Sequence, residues 1–199
     1  MPGQRLAGVL ALEQHWSSPL NPGFSIAPAL ELIEIENGVH PPFLHRRFTH
    51  REELARLIHE WIRHGARYPV LHVAGHGQPG VVCTGHRRRT TDRVTLDWLV
   101  DQLDGRAARR WIHIGSCATL DLSRSQLQSC AKRSGALGIS GFRAEVEFTR
   151  SAAWEVLWMQ RLAQTLASRR GVSQAIAWAR SSARGVFSDL RFTAVAALR

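Results

Sequence analysis

The sequence has no apolar run approaching the roughly 20 residues that a membrane-spanning helix requires. It has no internal repeat and no low-complexity tract, so neither a repeat architecture nor a long disordered segment is expected. Cysteine is scarce. Cys83, Cys117 and Cys130 are an odd number in a chain of 199 residues, which is long enough to fold without disulfide staples. That argues for free thiols, a reducing compartment and a cytoplasmic location, with one thiol available for chemistry and the others for packing. The short apolar run 6–12 follows Arg5, contains Gly8 and leads straight into Glu13-Gln14-His15 with no cleavage-like stretch. It reads as an N-terminal strand and not as a secretion signal.

Acidic residues are also short in supply. Lys plus Arg number 26 against 16 Asp plus Glu, a formal net charge of +10, and nearly all of the positive charge is Arg. Such a balance suits nucleic acid or an acidic protein surface. The basic residues form no single stripe, however, and the one dense run, 86–89, has no aromatics interleaved for base stacking. A solvated arginine-rich surface is the simpler reading, and nucleic acid is not an expected partner. What the chain does have is a core: seven Trp, seven Phe and 44% apolar residues mark a folded globule.

Taken in order, residues 1–29 read as a strand and an exposed loop, the loop marked by Pro and Gly at 18–28. Residues 30–36 alternate apolar and acidic side chains, the pattern of a strand with one wet face. Asn37-Gly38 signals a turn, and Pro41-Pro42 fixes an extended entry to Phe43-Leu44. A helix is predicted over 49–64, with Thr49 and Glu52 as a capping box, Leu54, Leu57, Ile58, Trp61 and Ile62 on one face, and Gly65 at its end. Strands follow at 68–74 and 81–84, then a helix capped by Thr95 with Leu96, Leu99, Val100 and Leu103 inward and Gly105 at its end. A strand at 110–114 comes next, then a helix opened by the Ser123/Gln126 capping box and closed at Ser134-Gly135. A short strand at 136–140, helices at 150–168 and 173–182, and an edge strand at 190–196 complete the chain. This alternation predicts one domain over 1–199: an α/β fold with a mostly parallel sheet and helices on both faces. In such sheets, sites lie beyond the carboxyl ends of the strands.

Two strand ends carry reactive groups. Leu71-His-Val-Ala-Gly-His76-Gly77 delivers an imidazole and a glycine; Trp111-Ile-His-Ile-Gly-Ser-Cys117 delivers a thiol. A thiol attacks as thiolate, and a neighbouring imidazole can take its proton. The tetrahedral intermediate needs backbone N–H donors, for which Gly77 and Cys117 are the candidates. Small neighbours, Gly115, Ser116 and Ala118, leave the thiol accessible. A His-Gly pair alone is commonly a turn, and a Cys after an apolar strand is commonly core; their joint position at successive strand ends is what singles them out. His72 and His113 inside strands, and His59 and His64 on a helix, read as structural or solvated. The set Cys83, His76, His86 and Cys117 lacks the close pairing that metal ligands favour, so no metal is expected.

The two motifs resemble those of the caspase-like clan CD of cysteine peptidases, and are closest to the bacterial CHAT branch. There an apolar strand ends in a small residue, His and Gly, and a second ends in Ser or Ala before Cys. The segment Gly135 to Phe142, the acidic loop at Val146-Glu147, and residues 171–180 are similar to the segments that follow in that family, so the likeness runs from about 30 to 180. The residues after Cys117, Ala-Thr-Leu-Asp121, depart from the family's frequent Glu-Thr-Gly.

The resemblance implies a three-layer caspase-like sandwich. It implies a cysteine endopeptidase in which Cys117 attacks a peptide carbonyl, His76 moves protons, and water resolves a thioester, with no cofactor. A protein or peptide is the expected substrate, an upstream activating protease or regulator a possible partner, and a bacterial stress or antiphage pathway the setting. Asp121, Glu145 and Glu147 would favour a basic residue before the cut, and Arg143 an acidic one. The rival readings are a catalytically silent caspase-like scaffold that binds a partner protein, and a basic nucleic-acid-binding module.

Overall fold

The computed structural model describes residues 7–15, 25–36, 43–83, 93–166 and 168–197. The sequence builds β1 (Val9–Gln14), α1 (Ala27–Glu36), β2 (Phe43–Phe48), α2 (Arg51–His64) and β3 (Val70–Ala74). A small excursion follows, made of β4 (Gly77–Gln78), β5 (Val81–Cys83) and β6 (Arg93–Thr95). Then come α3 (Leu96–Leu103), β7 (Trp111–Gly115), α4 (Arg124–Ser134), β8 (Gly138–Phe142), α5 (Phe148–Thr165), α6 (Arg169–Ser182) and β9 (Phe192–Ala196).

The six-stranded sheet runs in the order β2-β1-β3-β7-β8-β9. Its first five strands pair in parallel and β9 returns antiparallel against β8. Because successive side chains on a strand face opposite ways, each strand feeds two cores. Leu10, Leu12, Leu71, Val73, Ile112 and Ile114 pack under α2, α3 and α4. Val9, Ala11, Val70, Ala74 and Trp111 pack on the other side under α1, α5 and α6. The result is the expected three-layer sandwich of helices, sheet and helices. Among the described residues, no helix is long and apolar enough to cross a membrane.

Most helix starts follow their caps. Thr95 accepts from Trp98 N, and Ser123 forms the reciprocal box with Gln126. Three expectations are corrected. Residues 30–36 belong to helix α1 and not to a strand: Leu30 is fully buried while Leu32 is 54% exposed, which the shared face of a strand would forbid. Ala, Leu and Glu are good helix formers, and packing of α1 on α5 overrides the short alternation. The cap of α2 is His50 and not Thr49; its Nδ1 accepts from Glu53 N, while Thr49 donates its own N–H and hydroxyl to the Glu53 carboxylate. The helix α3 also stops one residue earlier than expected, on Asp104 in the left-handed conformation ahead of Gly105. The Asn37-Gly38 turn, Pro41-Pro42 and the basic run 86–89 lie outside the described residues.

Candidate active site at the ends of two neighbouring strands

Strands β3 and β7 are adjacent in the sheet, and their register ends with Ala74 opposite Gly115. His76 and Cys117 each lie two residues beyond that pair, at equivalent positions past the carboxyl edge. The two loops are pressed together. A Cβ on Gly77 would overlap the Cys117 carbonyl oxygen and the Thr119 Oγ1, and would stand 2.9 Å from Ser116 Cβ, so only glycine fits there.

Hydrogen bonds fix both loops. Gln14, at the end of β1, accepts the His76 N–H on its side-chain oxygen at 3.2 Å, and Cys83 N–H donates to the His76 carbonyl at 2.9 Å. That second bond continues the β4–β5 register, in which Gly77 faces Val82. Antiparallel ladders alternate bonded and non-bonded pairs, so the Gly77 N–H points away from β5. On the thiol side, Ala118 N–H donates to Ala144 O at 2.8 Å, and the Thr119 hydroxyl ties Val81 O at 3.0 Å. The Cys117 thiol lies 3.7 Å from the Val146 carbonyl.

Directly after the thiol, Ala118 has a φ of 53°, a left-handed conformation that costs energy for a residue with a Cβ. Cys117 thus lies between the end of β7 at Gly115 and this turn. Sequence reading valued Ala118 only for its size; nothing in the residue type announces the backbone angle. Gln14 was also missed as a support for His76, because its role depends on β1 lying beside β3.

The charged residues expected at a substrate pocket do not act together. Arg143 Nη2 lies 3.4 Å from Asp121 Oδ1, so these two neutralise one another. Glu147 is the N-cap of α5: backbone N–H groups of Thr149 and Arg150 donate to it and hold its carboxyl below the ordinary value. Glu145 is exposed and has no ion pair among the described residues. Cys83 and Cys130 are buried and form no disulfide, and burial pushes the Cys130 thiol upward, helped by the nearby Asp97.

Below the strand ends, His72, His113 and Glu155 bring donor atoms within 4.8 Å of one another, a spacing that could hold a metal ion. The hydrogen count speaks against it. Ser140 Oγ receives the indole N–H of Trp111 at 2.8 Å and of Trp158 at 2.9 Å, and indoles only donate. The hydroxyl must then give its own hydrogen to His113 Nδ1, 2.9 Å away. This network assigns the His113 hydrogen to Nε2, which donates to Glu155 Oε1 at 2.9 Å and keeps no lone pair for a metal. Burial pushes the His113 ring below its ordinary value, against the raising effect of Glu155. For Glu155, burial works upward, but the His72 and His113 rings overcome it and hold the carboxyl down at about 2. His72 stacks on His113 with centroids 5.1 Å apart, and its Nε2 is 3.2 Å from Glu155 Oε1. That approach is off the angle of a hydrogen bond, and both His72 nitrogens are buried without one. Both histidines are fully buried and not solvated, with Glu155 as the unforeseen third member of the cluster.

Caspase-1 from Spodoptera frugiperda has a similar fold: the TM-score is 0.54 at 11% identity, over 96% of this chain and 87% of that one. At that identity the likeness shows a caspase-like fold. No curated protein matches the chain by sequence. Residues 7–168 match the family model of DUF6642, a family of unknown function.

Proposed function

The chain belongs to the DUF6642 family, whose function is unknown, and we propose that it is a caspase-like cysteine endopeptidase of the CHAT type. One observation carries the reading: His76 and Cys117 sit at equivalent positions past the ends of two adjacent parallel strands, with Gly77 packed on the Cys117 carbonyl.

In this mechanism Cys117 gives its proton to His76 and its sulfur bonds to the substrate carbonyl carbon. The oxyanion accepts hydrogen bonds from the Gly77 and Cys117 N–H groups. The C–N bond then breaks, and His76 returns the proton to the departing amine. Water, deprotonated by His76, attacks the thioester; the acid leaves and the thiol is restored. Asp121 and Arg143 cancel as charge selectors, which leaves Glu145 to favour a basic side chain beside the cut. Action in the cytoplasm fits three free thiols. A bacterial stress or antiphage setting rests on the family resemblance alone.

The test is covalent labelling with a peptide fluoromethylketone, read by mass spectrometry of intact and digested protein. Selective modification of Cys117 that disappears in His76→Ala is the expected result. Equal labelling of Cys83 and Cys130 in native protein refutes the reading. A folded protein inert at Cys117 points to the partner-binding scaffold instead.

A further inference from the structure

The strand β9 ends the sheet, and among the described residues nothing pairs with its outer edge. A groove of about 160 Å³ runs along that edge, floored by residues 192–195. It is walled by Arg124 and Leu127 of α4, Arg180 of α6, and Arg143 just past β8. No acidic residue lines it. Arg124 and Arg180 are exposed and have no ion pair among the described residues, and the Arg143 Nε is buried without a hydrogen-bond partner.

We propose that this groove binds an extended acidic segment of a partner protein, which adds to β9 as a further strand. An open edge offers a row of backbone donors and acceptors that only another extended chain can satisfy throughout. Arg124 and Arg180 select its charge, because a guanidinium binds carboxylates through paired hydrogen bonds, whereas Arg143 already faces Asp121. Their placement also sets the spacing. Leu127 puts α4 on one face of the sheet and Ile176 puts α6 on the other, so Arg124 and Arg180 flank the edge from opposite faces. Side chains of an added strand alternate between those faces. Carboxylates at neighbouring positions therefore reach both arginines, whereas carboxylates two apart reach only one. A second copy is the wrong occupant: a pairing of β9 with β9 would set one arginine-lined edge against another and add like charges to a chain already at +10. The proposal does not depend on the chemistry of Cys117.

Fluorescence anisotropy with the full chain and a labelled Thr-Val-Glu-Glu-Val-Thr peptide tests it, with thermal melts confirming that each variant is folded. The expected result is saturable binding that weakens with salt, and about tenfold in either Arg124→Glu or Arg180→Glu, the loss of roughly one charge-assisted bond. A Glu-Val-Glu spacing should bind more weakly, and methylation of alternate peptide amides should abolish binding. Absence of binding, or equal binding by the methylated peptide or by the folded variants, overturns the proposal. So does light scattering that shows a dimer dissociated by the arginine substitutions.

Discussion

Gly77 and Cys117 are in contact through their main chains: a Cβ at 77 would occupy the space of the Cys117 carbonyl oxygen. The atoms that would be displaced are backbone and the short Thr119 hydroxyl, neither of which can swing aside. Gly77→Ala is therefore expected to push apart the loops that carry His76 and Cys117. Labelling of Cys117 by the fluoromethylketone should fall by about a hundredfold, on the scale of a misplacement near 1 Å. Unchanged labelling kinetics in a folded variant would show that the contact has no bearing on the thiol.

Thiol exposure separates the three cysteines. Cys117 is half-buried, Cys83 and Cys130 are buried, and burial raises the Cys130 thiol. Native protein should release one fast equivalent with Ellman's reagent and three after unfolding in urea. Cys117→Ser should remove the fast phase. A fast phase that persists in that variant contradicts the assignment.

Ser140 satisfies two indoles and one imidazole with a single hydroxyl. Ser140→Ala strands buried donors and an acceptor at a cost of about 1–3 kcal/mol for such a group. A loss of about 2–4 kcal/mol in urea unfolding, with a change in tryptophan emission, is the expected outcome. A midpoint equal to that of the wild type would remove the basis for the His113 tautomer.

The same cluster sets the acid sensitivity. Glu155 sits at about 2 in the fold against an ordinary value of 4.5, so its stabilisation is present above about 4.5 and is lost as pH falls towards about 2. His113 is also depressed; its contribution is present above 6.5 and declines below that pH as the unfolded chain takes up a proton that the fold refuses. Unfolding free energy should thus drop in two windows. Glu155→Gln should lower stability at neutral pH by about 3 kcal/mol and flatten the acidic window. Parallel pH profiles for the two proteins would contradict this.

Much of the site was legible in the chain order. Apolar runs ending in His76-Gly77 and Cys117, separated by one helical period pattern, imply parallel strands whose ends meet, since a short right-handed crossover usually places them side by side. Capping residues such as Thr95 and Ser123 marked helix starts because their chemistry is local. Residues 30–36 misled for the opposite reason: a short alternation holds little information, and burial against α5 decided it.

Composition, periodicity and two motifs determined the fold class and the candidate base and nucleophile, because these follow from which side chains must leave water and which end a strand. Only the tertiary structure decided the rest. The closeness of Gly77 to Cys117, the support of His76 by Gln14, the hydrogen count around Ser140 and the arginine groove on β9 each join residues far apart in the chain. Such contacts depend on strand order and register, and no local pattern encodes them.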